Sequence, residues 1–387
     1  MNVNRQCTGC TACVYVCPVQ CITMEEDQEG FKYPYIKKDR CIYCHNCKQV
    51  CPLININHED MKVQSKAYAA KSLCTEERRE SSSGGVFSIL AHSVLALGGY
   101  VCGAVYGKNF RVQHKIISSE TELFSLRGSK YAQSDLGDCF FKIQQILKAE
   151  KIILFVGTPC QVEGLQSFLG KKYDKLITVD MICHGVPSPL VWEKYLTTRS
   201  LKDAEGSPQN KINLRSKVSG WSRYSYSVEF EYKNGMSYCV LQGQDLYMRG
   251  FINNLFLRPS CAACHFKGLE RNSDFTLGDF WGVWDQIPDF DDNIGISLVF
   301  VHTNNGKLLW DTMISKIDFR EVNIKKSIES NRSAVESSNF HSKRPEFFDN
   351  LRNVKFVDEL IASMLQIVET DKKNSLFYRI FRKIRIL

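Results

Sequence analysis

The chain has 387 residues and 44% hydrophobic content, enough for one sizeable core beside a small appended module, so two or three domains are expected. Its formal charge of +8 is spread along the chain with no basic stripe interleaved with aromatic rings, which excludes nucleic-acid binding. The chain has seventeen cysteines and an opening, MNVNRQCTGC, with no apolar signal-peptide core, so metal or redox centres in a reducing cytoplasm are expected rather than disulfides.

Residues 1–58 contain an internal repeat. The run Cys7-x2-Cys10-x2-Cys13-x3-Cys17-Pro18 recurs 34 residues later as Cys41-x2-Cys44-x2-Cys47-x3-Cys51-Pro52. A four-iron cube needs four thiolates pointing into one small volume, and a C-x2-C-x2-C loop wraps three of them around it. In the two-cluster pattern the last cysteine of each run crosses over. Cys7, Cys10, Cys13 and Cys51 are therefore assigned to one cluster, and Cys41, Cys44, Cys47 and Cys17 to the other. Structural zinc, the alternative, takes two plus two ligands and needs neither the third close cysteine nor the Cys-Pro, twice. Cys21 fits neither set and reads as a small buried hydrophobe. The unit is expected to be a bacterial-type two-cluster 4Fe-4S ferredoxin module.

Residues 59–80 are polar and charged and read as a linker with room for one strand. From Ser81 onward helix and strand alternate: a helix over 84–97, a strand over 100–106, a helix over 137–149, and apolar strand runs at 152–156 and 176–182. Short uncharged runs of Val, Ile and Leu between helices predict an α/β core with partly parallel strands, and an α+β or α/β class for the whole. The uncharged stretch from Val86 to Gly107 is broken by Gly98-Gly99. Its helical part is roughly 18 Å long against a ~30 Å bilayer core, so a buried helix followed by a strand is expected rather than a membrane span. Around Asn234-Gly235 the period-two segments SYSVEFEY and MSYCVLQ predict a β-hairpin. Residues 341–387 read as a basic helical tail ending in FYRIFRKIRIL. That end suits an anionic membrane surface, although a solvated, partly docked terminal helix is the preferred reading.

Two apolar strands end in cysteine-bearing turns, Gly157-Thr158-Pro159-Cys160 and Cys183-His184-Gly185-Val186-Pro187. In an open α/β sheet, ligands bind at the carboxyl ends of strands, so the two turns can converge. Cys261 and Cys264 add a close pair. These four thiolates can hold a third 4Fe-4S cluster. A zinc site or redox thiol pair at 261 and 264, with ordinary buried cysteines at 160 and 183, accounts for the same residues. Ser81-Ser82-Ser83-Gly84-Gly85 precedes a helix, where backbone N–H groups favour anions; a plain N-cap or linker is the alternative. Arg127-Gly128-Ser129-Lys130-Tyr131 is a second, equally open candidate.

Taken together, the SSSGG turn, RGSKYAQS, VGTPCQVEGL, ICHGVP and CAACHFKGLERNSDFTLGDFWG, in that order after the paired cysteine runs, resemble the family of coenzyme F-420 hydrogenase/dehydrogenase beta subunits over roughly residues 1–340. The resemblance implies a domain at 81–340 that is a mixed α/β flavin- and cluster-binding body, carrying FAD and passing electrons between clusters and an organic hydride donor or acceptor. It implies that Ser83, Gly84 and Gly85, with Gly128, Ser129, Lys130 and Tyr131, line the FAD site, and that Cys160, Cys183, Cys261 and Cys264 hold the body cluster. Lys130 is the candidate to stabilise a reduced flavin, with a phosphate contact or a solvated lysine as the alternative. His184 is the other catalytic candidate, and it, Trp281, Trp284 and Asp279 are candidate pocket residues, each with a structural role as the alternative. The expected function is a flavin-dependent reductase fed by reduced ferredoxin, acting on an unidentified small-molecule substrate. The alternatives are an electron-transfer component of a larger complex and a protein whose metals are only structural. Location is expected to be cytoplasmic, with peripheral contact at the inner membrane face through the tail as an option.

Overall fold

The computed structural model describes residues 5–55, 65–222 and 225–367. The repeat is visible in the backbone. Two short helices, Ala12–Tyr15 and Asn46–Gln49, follow the second cysteine of each run. Each begins after a residue in left-handed conformation, Thr11 at φ 64° and His45 at φ 62°, which turns the cysteine loop back on itself. Between the runs, β1 (Ile22–Glu26) pairs antiparallel with β2 (Lys32–Ile36).

The body is built on an eight-stranded mixed sheet. Its strands are β3 (Lys66–Ser72), β4 (Tyr100–Tyr106), β5 (Val112–Ile117), β6 (Ile153–Val156), β7 (Leu176–Met181), β11 (Phe275–Asp279), β12 (Ser297–Val301) and β13 (Ile317–Val322), in the order β13-β3-β12-β11-β7-β6-β4-β5. The run β11-β7-β6-β4 is parallel, and the flanking pairs are antiparallel. This is the expected α/β core. Its short apolar strands are covered on both faces, as parallel strands must be. Helices Val86–Ala96 and Asn304–Met313 pack on one face, helices Cys139–Lys148 and Pro159–Leu169 on the other.

The segment expected to be a linker supplies β3, whose Ala67, Ala69 and Ala70 are fully buried between β12 and β13. Small side chains are needed there: a Cβ on Gly84 would stand 2.3 Å from the Ala70 carbonyl and 2.7 Å from Ser297 N. The glycines of the SSSGG turn thus have a packing reason of their own. The expected hairpin is present as β9 (Ser227–Tyr232) and β10 (Ser237–Leu241), with β8 (Gln209–Ser216) as a third strand. This small sheet forms a second core with helices Pro189–Asp203, Leu246–Ile252, Arg344–Leu351 and Val357–Met364. The basic end of the expected tail lies outside the described residues. Among those described, no helix is long and apolar enough to cross a membrane.

The ferredoxin module is seated on the body by buried polar contacts. Arg258, 1% exposed, donates to the carbonyls of Cys7 (2.8 Å) and Lys32 (2.9 Å) and to Gln133 Oε1 (2.8 Å), and its guanidinium lies 4.4 Å from the Tyr33 ring centre. Arg344 grips Glu29 with two hydrogen bonds of 3.0 and 2.5 Å, the bidentate geometry that makes such pairs strong. Gly164, inside helix Pro159–Leu169, lets Cys10 come so close that an added Cβ would meet its Sγ at 3.0 Å.

Candidate functional site

In the ferredoxin module the eight cysteines fall into two groups. Cys10 and Cys13 feel the charge of Cys7 and Cys51, while Cys47 feels Cys44, Cys41 and Cys17. Each group brings together cysteines that the crossover expectation assigns to one cluster. The groups adjoin, because Cys13 and Cys51 also feel Cys47. Burial pushes the Cys10 thiol up to about 12 and raises Cys13, Cys47 and Cys51, with repulsion between neighbouring thiolates adding to it. Such crowded thiols ionise only with a compensating cation, which bound iron supplies. Cys21 is buried, with its Sγ 3.5 Å from that of Cys17.

The body cysteines come from separate turns at the sheet's carboxyl edge. Thr158 caps helix Pro159–Leu169 in a capping box with Gln161, which fixes Cys160 in the first turn; its Sγ is 3.2 Å from Thr158 Oγ1. Cys183 follows β7 directly, and Val186 N–H points at Cys261 Sγ (3.4 Å). Cys160, Cys183, Cys261 and Cys264 line one cavity, together with Gln6, Thr8 and Leu53 of the ferredoxin module. Among the described residues no three His, Cys, Asp or Glu side chains are placed to hold a single metal ion. Burial is the main cause that raises Cys160 and Cys183 and pushes Cys261 up to about 12. Lys267, which donates to the Cys183 carbonyl, and Arg271 oppose this at Cys183.

The two sequence segments with flavin expectations meet. Ser129 N–H and Oγ both donate to Ser82 Oγ (2.8 and 2.9 Å). Ser83 Oγ donates to the Ile296 carbonyl (2.8 Å), and Gly84 N–H to Ser297 Oγ (3.0 Å). Gly128 sits at φ 80° with open space at its Cα. Tyr131 packs on Phe251, ring centres 5.0 Å apart. Lys130 turns its ammonium onto its own loop, donating to the carbonyls of Leu126, Arg127 and Gly128 (3.2, 2.7 and 3.0 Å). Burial pulls it down to about 7, while the three acceptors favour the charged form.

The cations beside this turn are residues that sequence reasoning missed. Arg215 bonds to Asp279 (3.0 Å) and lies 3.8 and 4.9 Å from the Tyr226 and Trp281 ring centres. Lys217 donates to the carbonyls of Arg78 and Ser83. Trp221 donates to the Ser82 carbonyl (3.1 Å) and stacks on Trp281 at 5.1 Å. Arg215 Nε and Asp279 Oδ1 are buried with no partner, an unusual cost for a native interior. Asp279 ends β11 beside the Ile182-Cys183 turn, Ile182 N–H donating to the Leu277 carbonyl (2.8 Å). His184 is held by Asn254 (2.6 Å) and lines the cysteine cavity. Trp284 packs at the edge of the hydrophobic cluster around Phe280.

Paired cysteine loops docked on an α/β body define an iron-sulfur electron-transfer protein. A 4Fe-4S dicluster domain matches residues 6–53, and the family described as the C terminus of the coenzyme F420 hydrogenase/dehydrogenase beta subunit matches residues 150–327. Residues 150–327 are thus similar to that family of beta subunits, and a ferredoxin domain stands ahead of them. It is 24% identical over 185 residues, 45% of this chain and 51% of the relative, to the F subunit of the F(420)H(2) dehydrogenase of Methanosarcina mazei. It is 26% identical over 193 residues, 49% of this chain and 29% of the relative, to the coenzyme F420-dependent sulfite reductase of Methanocaldococcus jannaschii. The chain thus spans about half or less of these curated relatives. A 7Fe ferredoxin of Hydrogenibacillus schlegelii is 41% identical over 73 residues, 18% of this chain and 87% of the relative. A chain of the F420-reducing NiFe hydrogenase complex from Methanosarcina barkeri aligns with TM-score 0.46 at 16% identity, over 69% of this chain and 89% of that one.

Proposed function

We propose that the protein is an iron-sulfur flavoprotein oxidoreductase in which electrons pass through the two ferredoxin clusters and a body cluster to FAD, and on to an organic substrate. The observation that carries this reading is the cavity where Cys160, Cys183, Cys261 and Cys264 meet Gln6, Thr8 and Leu53. Thr8 and Leu53 flank Cys7, Cys10 and Cys51 in sequence, so one ferredoxin cysteine set stands between the other set and the body cysteines.

The chain's residues suit these groups. Lys267 and Arg271 offset the negative charge of four thiolates, and Val186 N–H donates to a ligand sulfur. Arg258 fixes the distance between the module and the body through the Cys7 carbonyl. For FAD, the unpartnered Arg215 Nε and Asp279 Oδ1 and the Trp221–Trp281 pair offer a cation, an acceptor and an aromatic wall one strand away from Cys183. Flavin, when bound, converts single electrons into hydride equivalents. Arg215 is the cation placed to neutralise developing negative charge there, because Lys130 is committed to its own loop.

The test is to reduce the anaerobically purified chain with reduced ferredoxin and follow flavin absorbance. Bleaching by ferredoxin alone is expected. No bleaching until a redox partner is added would refute the self-contained enzyme and favour the second reading, an electron-transfer component of a larger complex, which the name of the Methanosarcina mazei relative supports.

A further inference from the structure

The ferredoxin module is electrically and chemically two-ended. At its inner end the β1–β2 hairpin carries Glu25, Glu26, Asp27 and Glu29, and Glu29 is clamped by Arg344. At its outer end, between residues 35 and 55, Lys37, Lys38, Arg40 and Lys48 stand against Asp39 alone, all of them exposed. The same stretch displays apolar side chains on and beside the loop of the outer cysteine set. Ile42, Tyr43 and Ile54 are 59%, 68% and 59% exposed, and Cys44 is exposed with them. Tyr43 is held at φ 55°, a conformation that costs a bulky side chain energy and that the cysteine loop imposes. Exposed apolar side chains beside a cluster ligand, in a stretch dominated by one sign of charge, are the pattern of a recognition surface.

We infer that this face is the electron-entry dock, and that its occupant is a small acidic redox protein, an acidic ferredoxin or flavodoxin type of carrier, bound around Tyr43 and steered by Lys37, Lys38 and Lys48. This rests on the reading of the module as a wire, and it names the partner class and the point of entry. The charge complementarity decides the occupant. A basic carrier would be repelled, whereas an acidic one gains encounter rate by about 10- to 1,000-fold at low salt. At the hairpin Glu29 is engaged by Arg344, while Glu25, Glu26 and Asp27 are exposed and would repel an acidic carrier, which leaves the basic end as the face that attracts it. In each transfer the carrier is oxidised by one electron and the outer cluster reduced by one, with no bond made or broken.

The experiment is stopped-flow reduction of the full, iron-loaded chain by a reduced acidic ferredoxin at a series of ionic strengths, with sodium dithionite as a small reductant in parallel. The triple variant Lys37→Glu/Lys38→Glu/Lys48→Glu changes only exposed side chains, and its iron content is checked first. The wild-type rate constant should fall steeply with salt, the variant should be at least about tenfold slower at low salt, and the two should converge near 1 M, where the screening length is about 3 Å. Dithionite reduction should be the same in both. A salt-independent wild-type rate, or an unchanged variant, overturns the dock. So does a dimer that Tyr43→Glu dissociates, since a second copy would then occupy the patch. If dithionite reduces the module but never the flavin while the salt-dependent carrier rate persists, the wire reading fails and the dock stands.

Discussion

Replacing Arg258 by methionine keeps the bulk of the side chain and removes its guanidinium. Three buried acceptors then lose their donor: the carbonyls of Cys7 and Lys32 and the Gln133 side chain, bonded at 2.8, 2.9 and 2.8 Å. Each unsatisfied buried acceptor costs about 1–3 kcal/mol, and partial rehydration of this seam puts the sum near 4 kcal/mol. At about 1.2 °C per kcal/mol, from an unfolding entropy of about 2.1 cal/mol/K per residue over the whole chain, the anaerobic unfolding midpoint should drop by roughly 5 °C. The same contacts hold the Cys7 loop against the Cys261 loop, so the module should lose its fixed distance to the body. Electron transfer from the ferredoxin clusters to the body should slow far more than reduction of the ferredoxin clusters themselves. The assay is calorimetry together with freeze-quench EPR of the reduced protein. An Arg258→Met protein with an unchanged midpoint and unchanged transfer to the body would refute this account of the docking.

Three further outcomes are expected. Gly164→Ala, which on an exposed helix would stabilise by about 1 kcal/mol, should instead lower the unfolding midpoint, because the new methyl stands 2.7 Å from Cys10 Cβ and overpacking costs about 1–3 kcal/mol; a raised midpoint would contradict it. Cys261→Ser should leave about 8 of about 12 iron atoms per chain, with the ferredoxin signals retained, as read by iron analysis and EPR; full iron content would remove Cys261 from the ligand set. Burial holds Lys217 at about 7, below its ordinary 10.5. The unfolded chain therefore binds more protons than the folded one between those values, and stability rises with pH from about 7 toward 10.5. Lys217→Met should flatten that rise in denaturant titrations at pH 7 to 9.5, and an unchanged slope would refute the assignment.

How much of this was legible depended on whether the chemistry is local in the chain. The ferredoxin cysteines are, since three ligands within seven residues wrap one cluster, and the repeat announces the second. Cys160 and Cys183 could be suspected from strand-end turns, but their convergence with Cys261 and Cys264 depends on the strand order β11-β7-β6, which no local pattern encodes. β3 was allowed for only as one strand within a linker, because its buried Ala67, Ala69 and Ala70 carry little strand propensity. Arg215, Lys217 and Trp221 carry no motif. They matter because β8 brings them against a turn more than 130 residues earlier, and in sequence they look like part of an ordinary β-sheet edge. Lys130 looked like the flavin's cation for its neighbours Gly128 and Ser129, yet its long side chain is spent on three nearby carbonyls.

The most direct test of the central claim is anaerobic purification of the chain with iron, sulfide, zinc and flavin quantified on the same sample, alongside a visible spectrum. Three clusters and one flavin predict about 12 iron, matching sulfide, negligible zinc and one FAD per chain. About 8 iron with one zinc and no flavin would contradict it, leaving a two-cluster ferredoxin module attached to a body that only binds or supports.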